Sequence, residues 1–365
     1  MRKDKRYTDG TKALWHMERI IKHYDEGERI SPIHIDMGIS KFCNSACVYC
    51  YGLFQNPEKG VYIQRDALFN MLRDAGEIGI KSVSIIGDGE PTCNPNFYEA
   101  LYVGKKAGLS LATSTNGFLL NTPERRKAIL DNCEWMKFTF GAGTREGYKL
   151  IHQRDNFDKV VENIKAMVKE KKDLGSKCEI GMQTIFIPTL MSKEIIEEAK
   201  LAVKLGVDYF LIKQCCLPDK GQTGMMQFDL NDYDKPEIQA ALKEAESLST
   251  DKTQIIVKWG LIDMKGKKTY KGCPAIPLLL QISGNGDVYP CGHMFGNKKE
   301  FLKYKMGNLH KDRFKDIIKS DKYWKIIKQM RYNFDVKDCG GCRHDRLNSF
   351  LDDYLNDKPS GINFI

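Results

Sequence analysis

The chain has 365 residues, 42% hydrophobic and 29% charged, the size of one large domain with a smaller companion and the composition of a globular protein. No apolar run reaches the roughly 18 residues of a membrane span. The stretch MRKDKRYTDG has no apolar core, so neither a membrane segment nor a signal peptide is expected and a cytoplasmic setting is. The net charge of +9 fits nucleic acid, a membrane surface or an anionic substrate, and lysine clusters such as MKGKKTYKG read as solvated loops, so charge alone selects no partner.

In chain order, an amphipathic helix comes first, at about 11–26, with Leu14, Met17, Ile20, Ile21 and Tyr24 on one side. From residue 33, short β-branched runs alternate with helical periodicity. The runs fall at 33–40, 81–87, 109–115, 135–140, 178–187 and 207–213, and the helices at 65–79, 96–107, 123–132, 156–174 and 192–205. Thr122 before Pro123 opens one helix and Ser192 another, while Gly79, Gly108 and Gly206 close three. This alternation predicts a parallel sheet with helical crossovers. Six units fall short of the eight of a full barrel, so the expected fold is α/β, a partial (β/α)6 TIM-type barrel.

The pattern breaks at 216–235, after which a helix at 236–248 and a strand at 254–259 follow. The stretch 273–342 has shorter elements and four cysteines. The expected organisation is an N-terminal helical extension (1–32), the barrel (33–235), a connecting helix and strand (236–272), and a small metal-organised domain with the C-terminal tail (273–365).

Twelve cysteines in a chain with no export signal point to metal binding or chemistry rather than disulfides. Three of them, Cys43, Cys47 and Cys50 in KFCNSACVYCYG, follow the first strand, at the end where barrels place their active sites. Zinc usually takes four donors from two separated pairs, whereas three thiolates on a [4Fe-4S] cluster leave one iron open to another molecule. The second strand ends in GDGEPT, residues 87–92, a glycine-rich turn carrying the acid Glu90 beside Gly87 and Gly89. The third closes in STNG, residues 114–117. Farther on, Cys273 and Cys291 enclose 17 residues, and Cys339 with Cys342 forms a CxxC. Those four complete either one zinc site or one closed [4Fe-4S] cluster. Cys93, Cys133 and Cys178 read as packed structural residues. Cys215 and Cys216 differ, because they follow the sixth strand at the expected barrel mouth. His34, His152, His293, His310 and His344 show no metal spacing and read as surface or structural.

The CxxxCxΦC pattern, with Tyr49 as its aromatic, followed by GDGEP at the next strand end, resembles the radical S-adenosylmethionine (SAM) superfamily. In that family the open iron binds the methionine part of SAM, and one-electron reduction releases a 5′-deoxyadenosyl radical that abstracts a hydrogen atom. The resemblance covers roughly 33–345. It implies cluster ligation by Cys43, Cys47 and Cys50 and SAM contacts from Tyr49, Gly87, Gly89 and Glu90, with Asp88 replacing a family glycine. It further implies that Asn116 faces the cofactor or substrate, that Thr139 takes the place of a ribose-contacting serine, and that Gln183 points inward from the fifth strand. Gly141 stands where relatives often carry an acid.

Cys273, Cys291, Cys339 and Cys342, with the GNL stretch between them, resemble the SPASM auxiliary-cluster module in its short Twitch form, in a layout similar to the butirosin-pathway aminocyclitol dehydrogenase. The implied cofactors are SAM and two [4Fe-4S] clusters, with a one-electron donor such as flavodoxin or ferredoxin as partner. The implied reaction is oxidation of a small polar, carbohydrate-like substrate. Radical epimerisation with Cys215 or Cys216 as hydrogen donor, and peptide modification, are the alternatives. A non-catalytic zinc and nucleic-acid-binding protein is the reading from another class, and it lacks a reader motif.

Overall fold

The computed structural model describes residues 10–50, 58–215, 228–264, 267–295, 299–338, 342, 344–356, 360, 361 and 363. Among the described residues ten strands form one sheet: β1 His34–Met37, β2 Ser82–Ile85, β3 Ser110–Thr115, β4 Cys133–Thr139, β5 Glu179–Phe186, β6 Tyr209–Gln214, β7 Gln254–Val257, β8 Leu279–Ile282, β9 Asp287–Tyr289 and β10 Gly307–Asn308. Their spatial order is β10-β9-β8-β1-β2-β3-β4-β5-β6-β7. From β8 to β7 every pairing is parallel, and β9 and β10 add an antiparallel edge.

The expected α/β barrel-type fold is present, and the sheet is wider than six units. The segment expected as a connector supplies β7, in register with β6 from Tyr209↔Gln254 onward. The cysteine-bearing C-terminal region supplies β8, which pairs with β1 from His34↔Leu279 onward. The two therefore share backbone hydrogen bonds rather than merely touching.

Strand alternation separates two faces. Ile35, Met37, Val83, Ile85, Leu111, Met136, Phe138, Met182, Phe210 and Ile212 point outward into the main apolar core beneath the helices. The intervening positions, including His34, Asp36, Ser82, Ser84, Ser114, Lys137, Thr139, Gln183 and Lys213, line an interior cavity of about 2000 Å³. Tyr209, Leu211 and Ile256 form a separate apolar patch on that inner side.

Most predicted helices lie within a residue or two of their expected bounds: Pro123–Asn132 has Thr122 at its cap and proline in its first turn. The helix expected to open at Ser192 begins at Glu194 with Lys193 at the cap, because a short turn, Pro188–Met191, takes up Ser192 first. Gly206 closes that helix in the left-handed region at φ 70°. The helix Arg145–His152 was not expected. It is capped by Thr144, whose side chain accepts from Gly147 N.

Asp88, the departure from the family's glycine, has a structural role. Its side chain is 1% exposed and pairs with Lys41 Nζ at 3.3 Å. It also accepts from Ser283 Oγ at 2.6 Å and Gly284 N at 2.9 Å. One carboxylate thus joins the loops after β1 and β2 to the turn after β8. Removing one partner leaves the other charge buried without its counter-ion, which typically costs about 3–5 kcal/mol. Asp88→Ala is therefore expected to lower stability by about that amount, read as the urea midpoint of anaerobically prepared protein. A midpoint unchanged from wild type would show that the clamp contributes nothing.

Candidate functional site

The loop after β1 carries the three clustered cysteines, and its backbone is tied down on both sides. Gly38 N donates to Ile282 O at 2.7 Å, Lys41 N to Val61 O at 2.9 Å, and Val48 N to Ile151 O at 2.9 Å. Cys43, Cys47 and Cys50 all line the interior cavity. Burial pushes the Cys43 and Cys47 thiols above the usual range, and the charge of Glu90 adds to this at Cys43. Such thiols become thiolates when a metal cation offsets the burial. Three thiols from one loop facing a common cavity are a donor set that fits a [4Fe-4S] cluster with one iron left open.

His152 belongs to this site although the sequence reading placed it elsewhere. It is fully buried, stacked on Tyr148 with ring centroids 4.3 Å apart. Its Nδ1 lies 3.0 Å from Cys47 Sγ. Nε2 hydrogen-bonds the Phe140 carbonyl. Burial brings its pKa down to about 4, so the ring is neutral at physiological pH. Tyr49 packs against the same imidazole, with centroids 6.4 Å apart. A separation of 105 residues between His152 and Cys47 left no local spacing to read.

The GDGEP turn packs directly on the cysteine loop. A Cβ at Gly87 would lie 2.1 Å from Gly38 Cα, and one at Gly89 would lie 2.3 Å from Ser40 O. Both glycines are thus required by close backbone approach. Glu90 is buried, and its carboxylate accepts from Thr92 N (3.2 Å), Thr92 Oγ1 (2.6 Å), Thr115 Oγ1 (2.5 Å) and Asn116 N (2.9 Å). Burial outweighs these donors and raises its pKa. A cation arriving from the cavity would restore the carboxylate.

Asn116 reaches back to the cysteine loop, donating to Asn44 Oδ1 at 2.6 Å, with Cys43 Sγ 3.9 Å away. Thr139 and Gln183 both line the cavity: Thr139 Oγ1 lies 3.2 Å from Ser114 Oγ, and Gln183 accepts from Lys137 Nζ at 3.3 Å. Cys215 is buried at the cavity wall, its backbone N–H donating to Tyr233 Oη at 2.9 Å. Cys216 and Cys339 lie outside the described residues.

On the C-terminal side, Asn348 connects two of the remaining candidates. Its Oδ1 accepts from Ala275 N at 2.8 Å and lies 3.5 Å from Cys273 Sγ, while its Nδ2 is 3.7 Å from Cys342 Sγ. Cys273 precedes β8 and Cys291 follows β9, so both stand at the end of the sheet opposite the first cysteine loop. Cys342 lines the same cavity as Cys43, Cys47 and Cys50. Cys133 and Cys178 are buried, as expected of packed residues.

Comparison with known proteins agrees with this arrangement. Residues 37–202 match the radical SAM superfamily, and residues 273–343 match the SPASM iron-sulfur cluster-binding domain. The chain is 24% identical over 322 residues to the tungsten-containing aldehyde ferredoxin oxidoreductase cofactor-modifying protein of Pyrococcus furiosus, covering 85% of this chain and 86% of that one. It is 27% identical to a probable GTP 3′,8-cyclase of Saccharolobus solfataricus over 46% of this chain and 51% of that one. Among solved structures, Streptococcus suis SuiB bound to S-adenosylmethionine superposes with TM-score 0.64 at 18% identity, over 91% of this chain and 75% of that one. The enzyme anSMEcpe with bound AdoMet gives TM-score 0.59 at 18% identity, over 87% and 88%.

A SAM-type barrel and a C-terminal iron-sulfur domain therefore define the class. The chain belongs to the radical SAM superfamily, with a SPASM domain, and its cofactors are SAM and [4Fe-4S] clusters. The zinc and nucleic-acid reading gives way to this assignment. Among the described residues, no helix is long and apolar enough to cross a membrane.

Behind the site, Glu198 accepts from Gly141 N at 2.9 Å and is fully buried, which pushes its pKa up to about 8. The folded state therefore keeps this proton from the ordinary carboxylate value of 4.5 up to about 8, where the unfolded chain has released it. Stability falls as pH rises across that window. Glu198→Gln keeps the acceptor for Gly141 and removes the titration. Its Tm advantage over wild type is expected to grow from about pH 5 to about pH 8. A difference by calorimetry that stays flat with pH would contradict the buried acid.

Proposed function

We propose that this protein is a radical SAM oxidoreductase acting on a small polar, carbohydrate-like substrate held in the barrel lumen. The observation that carries the reading is the single cavity reaching from Cys43, Cys47 and Cys50 to Cys342. When bound there, one cluster supplies the electron that cleaves SAM, and a second, fully ligated cluster accepts the electron a substrate radical must lose. Cys43, Cys47 and Cys50 are the proposed ligands of the first, and Cys273, Cys291, Cys339 and Cys342 those of the second.

The residues between have complementary tasks. Glu90, buried and ringed by donors, receives the SAM ammonium, whose charge offsets the carboxylate's burial. Gly87 and Gly89 bring the two loops close enough for that contact. Tyr49 shields the cysteine loop, Asn116 fixes it through Asn44, and Thr139 and Gln183 present polar groups to the cofactor or substrate from β4 and β5. A flavodoxin or ferredoxin is the proposed electron donor.

Relatives named as cofactor-modifying protein and cyclase act on small molecules or cofactors, which favours that substrate class over a peptide. SuiB is also known bound to its precursor peptide SuiA, but the likeness to it extends to the fold alone. Epimerisation is the second reading, supported by Cys215 at the cavity wall.

Anaerobic reconstitution is expected to load about eight irons per chain, falling to about four when Cys43, Cys47 and Cys50 are all changed to Ala. Cys50→Ala is expected to abolish 5′-deoxyadenosine formation from SAM under a strong reductant. The product should lack two hydrogens relative to substrate, with one SAM consumed per product. Solvent deuterium entering a product of unchanged composition, and lost in Cys215→Ala, would replace oxidation with epimerisation. Wild-type protein that never holds more than about four irons would remove the auxiliary cluster.

A further inference from the structure

We propose that Asn348 raises the reduction potential of the C-terminal cluster through an N–H···S hydrogen bond to Cys342. This rests on the reading above that Cys273, Cys291, Cys339 and Cys342 ligate a second cluster, and it names what tunes that cluster. Asn348 lies in the first turn of the helix Asp345–Asn356 and is fully buried. Its one amide group reaches two of the four candidate sulfurs, Cys273 Sγ at 3.5 Å and Cys342 Sγ at 3.7 Å. Two cysteines from distant segments thus converge, as ligands of one cluster must.

The orientation of the amide is fixed by its backbone partner. Ala275 N donates to Asn348 at 2.8 Å, and an N–H can face only the side-chain oxygen. Nδ2 therefore points at Cys342. Oδ1, already engaged by Ala275, accepts from Cys273 only while that sulfur is a thiol. Once both cysteines bind iron, that contact lapses and the bond to Cys342 strengthens. Asn348 thus acts unequally on the pair, and its donor serves Cys342.

A buried amide donor is poorly satisfied by a neutral sulfur, which is a weak acceptor. An iron-bound thiolate carries negative charge and accepts far better. Reduction adds one electron to the cluster, so a donor aimed at its sulfur stabilises the reduced form and raises the potential. The His344 backbone N–H donates to the same sulfur and acts in the same direction. The nearby charge of Asp345 opposes them and is muted by the Tyr270 hydroxyl, which donates to it at 2.6 Å. A cluster raised in potential draws an electron from a substrate radical, which the proposed oxidation requires.

The measurement is an EPR-monitored redox titration of the anaerobically reconstituted holoprotein, following the cluster signal that added SAM leaves unchanged. Asn348→Asp keeps an oxygen for Ala275 and removes the donor, while Asn348→Leu removes the amide without adding charge. In each, the ratio of reduced to oxidised cluster at a given applied potential should fall about tenfold, about 60 mV for one electron. Asn356→Asp, the same change at the exposed end of the same helix, should not shift it. Iron should stay at about eight per chain throughout. Wild type grown on isotopically labelled asparagine should also show a nitrogen hyperfine coupling to the reduced cluster. Absence of that coupling, or a wild-type potential in both Asn348 variants at full iron, would overturn the proposal. So would a fall in Asn348→Asp without one in Asn348→Leu, which would assign the effect to added charge. Loss of about four irons in Asn348→Asp would make the residue one of assembly and overturn the proposal as well. Wild type with about four irons and no SAM-indifferent signal would instead remove the second cluster, and with it the reading above.

Discussion

A buried ion pair, Lys41 with Asp88, holds together the three chain segments on which the site depends. The segments are the cysteine loop after β1, the GDGEP turn after β2 and the turn after β8. Two charges are seldom retained away from water unless their remaining hydrogen bonds are met, and here Ser283 and Gly284 meet those of the carboxylate. The glycines around it are equally constrained. A Cβ on Gly38 would run into Asp88 Oδ1, and one on Gly284 into the backbone of Ser40. Close backbone approach and a buried charge pair thus occupy the same few ångströms, and neither tolerates a change in the other.

This junction has a consequence for the lumen. Because β8 pairs with β1, Cys273 and Cys291, which flank β8 and β9, are positioned through the sheet. Asn348 then ties Cys273 and Cys342 from a helix farther along the chain. The lumen between the two cysteine groups has walls of different character. Serines with His34 and Asp36 form the side made by β1 to β3, and His34 is bonded to Ser82 at 2.7 Å and to Asp36 at 3.0 Å. The side made by β4 to β7 is mixed, with Trp135, Leu211 and Ile256 beside Glu134, Lys137, Thr139, Gln183, Lys213 and Gln254. The lumen is therefore asymmetric, with hydroxyls and a His–Asp pair on one side and a mixture of apolar, amide and charged groups on the other.

Much of this was legible in the sequence, because strand-helix alternation is a local signal and the cysteine spacings are local too. The β3 and β4 strands and the helix at 123–132 are readable from neighbouring residues alone. What escaped was set by distant contacts. The strand pairing of β7 and β8 depends on register across more than one intervening segment, and hydropathy does not encode it. The reason for Asp88 lies at Ser283, and the reason for His152 lies at Cys47. For Lys213 the signal was present. VDYFLIK reads as an apolar run, yet alternation assigns Tyr209, Leu211 and Lys213 to one face, and a lysine on the inward face of a barrel strand is a chemical statement.

The clearest case of distant compensation is Gly141. The family resemblance puts an acid at this position, where this chain has a glycine. Its φ of 80° already favours glycine, and an added Cβ would lie 3.2 Å from His152 Nε2 and 3.1 Å from Ile151. His152 therefore occupies the room an acidic side chain would need. Glu198, from the helix Glu194–Leu205, instead brings a carboxyl group to the Gly141 backbone. The imidazole beside Cys47 and the buried acid thus meet the same glycine, one by close packing and the other through its backbone N–H. Gly141, His152 and Glu198 thus pack together behind the cysteine loop, while Thr139 two residues earlier faces the cavity.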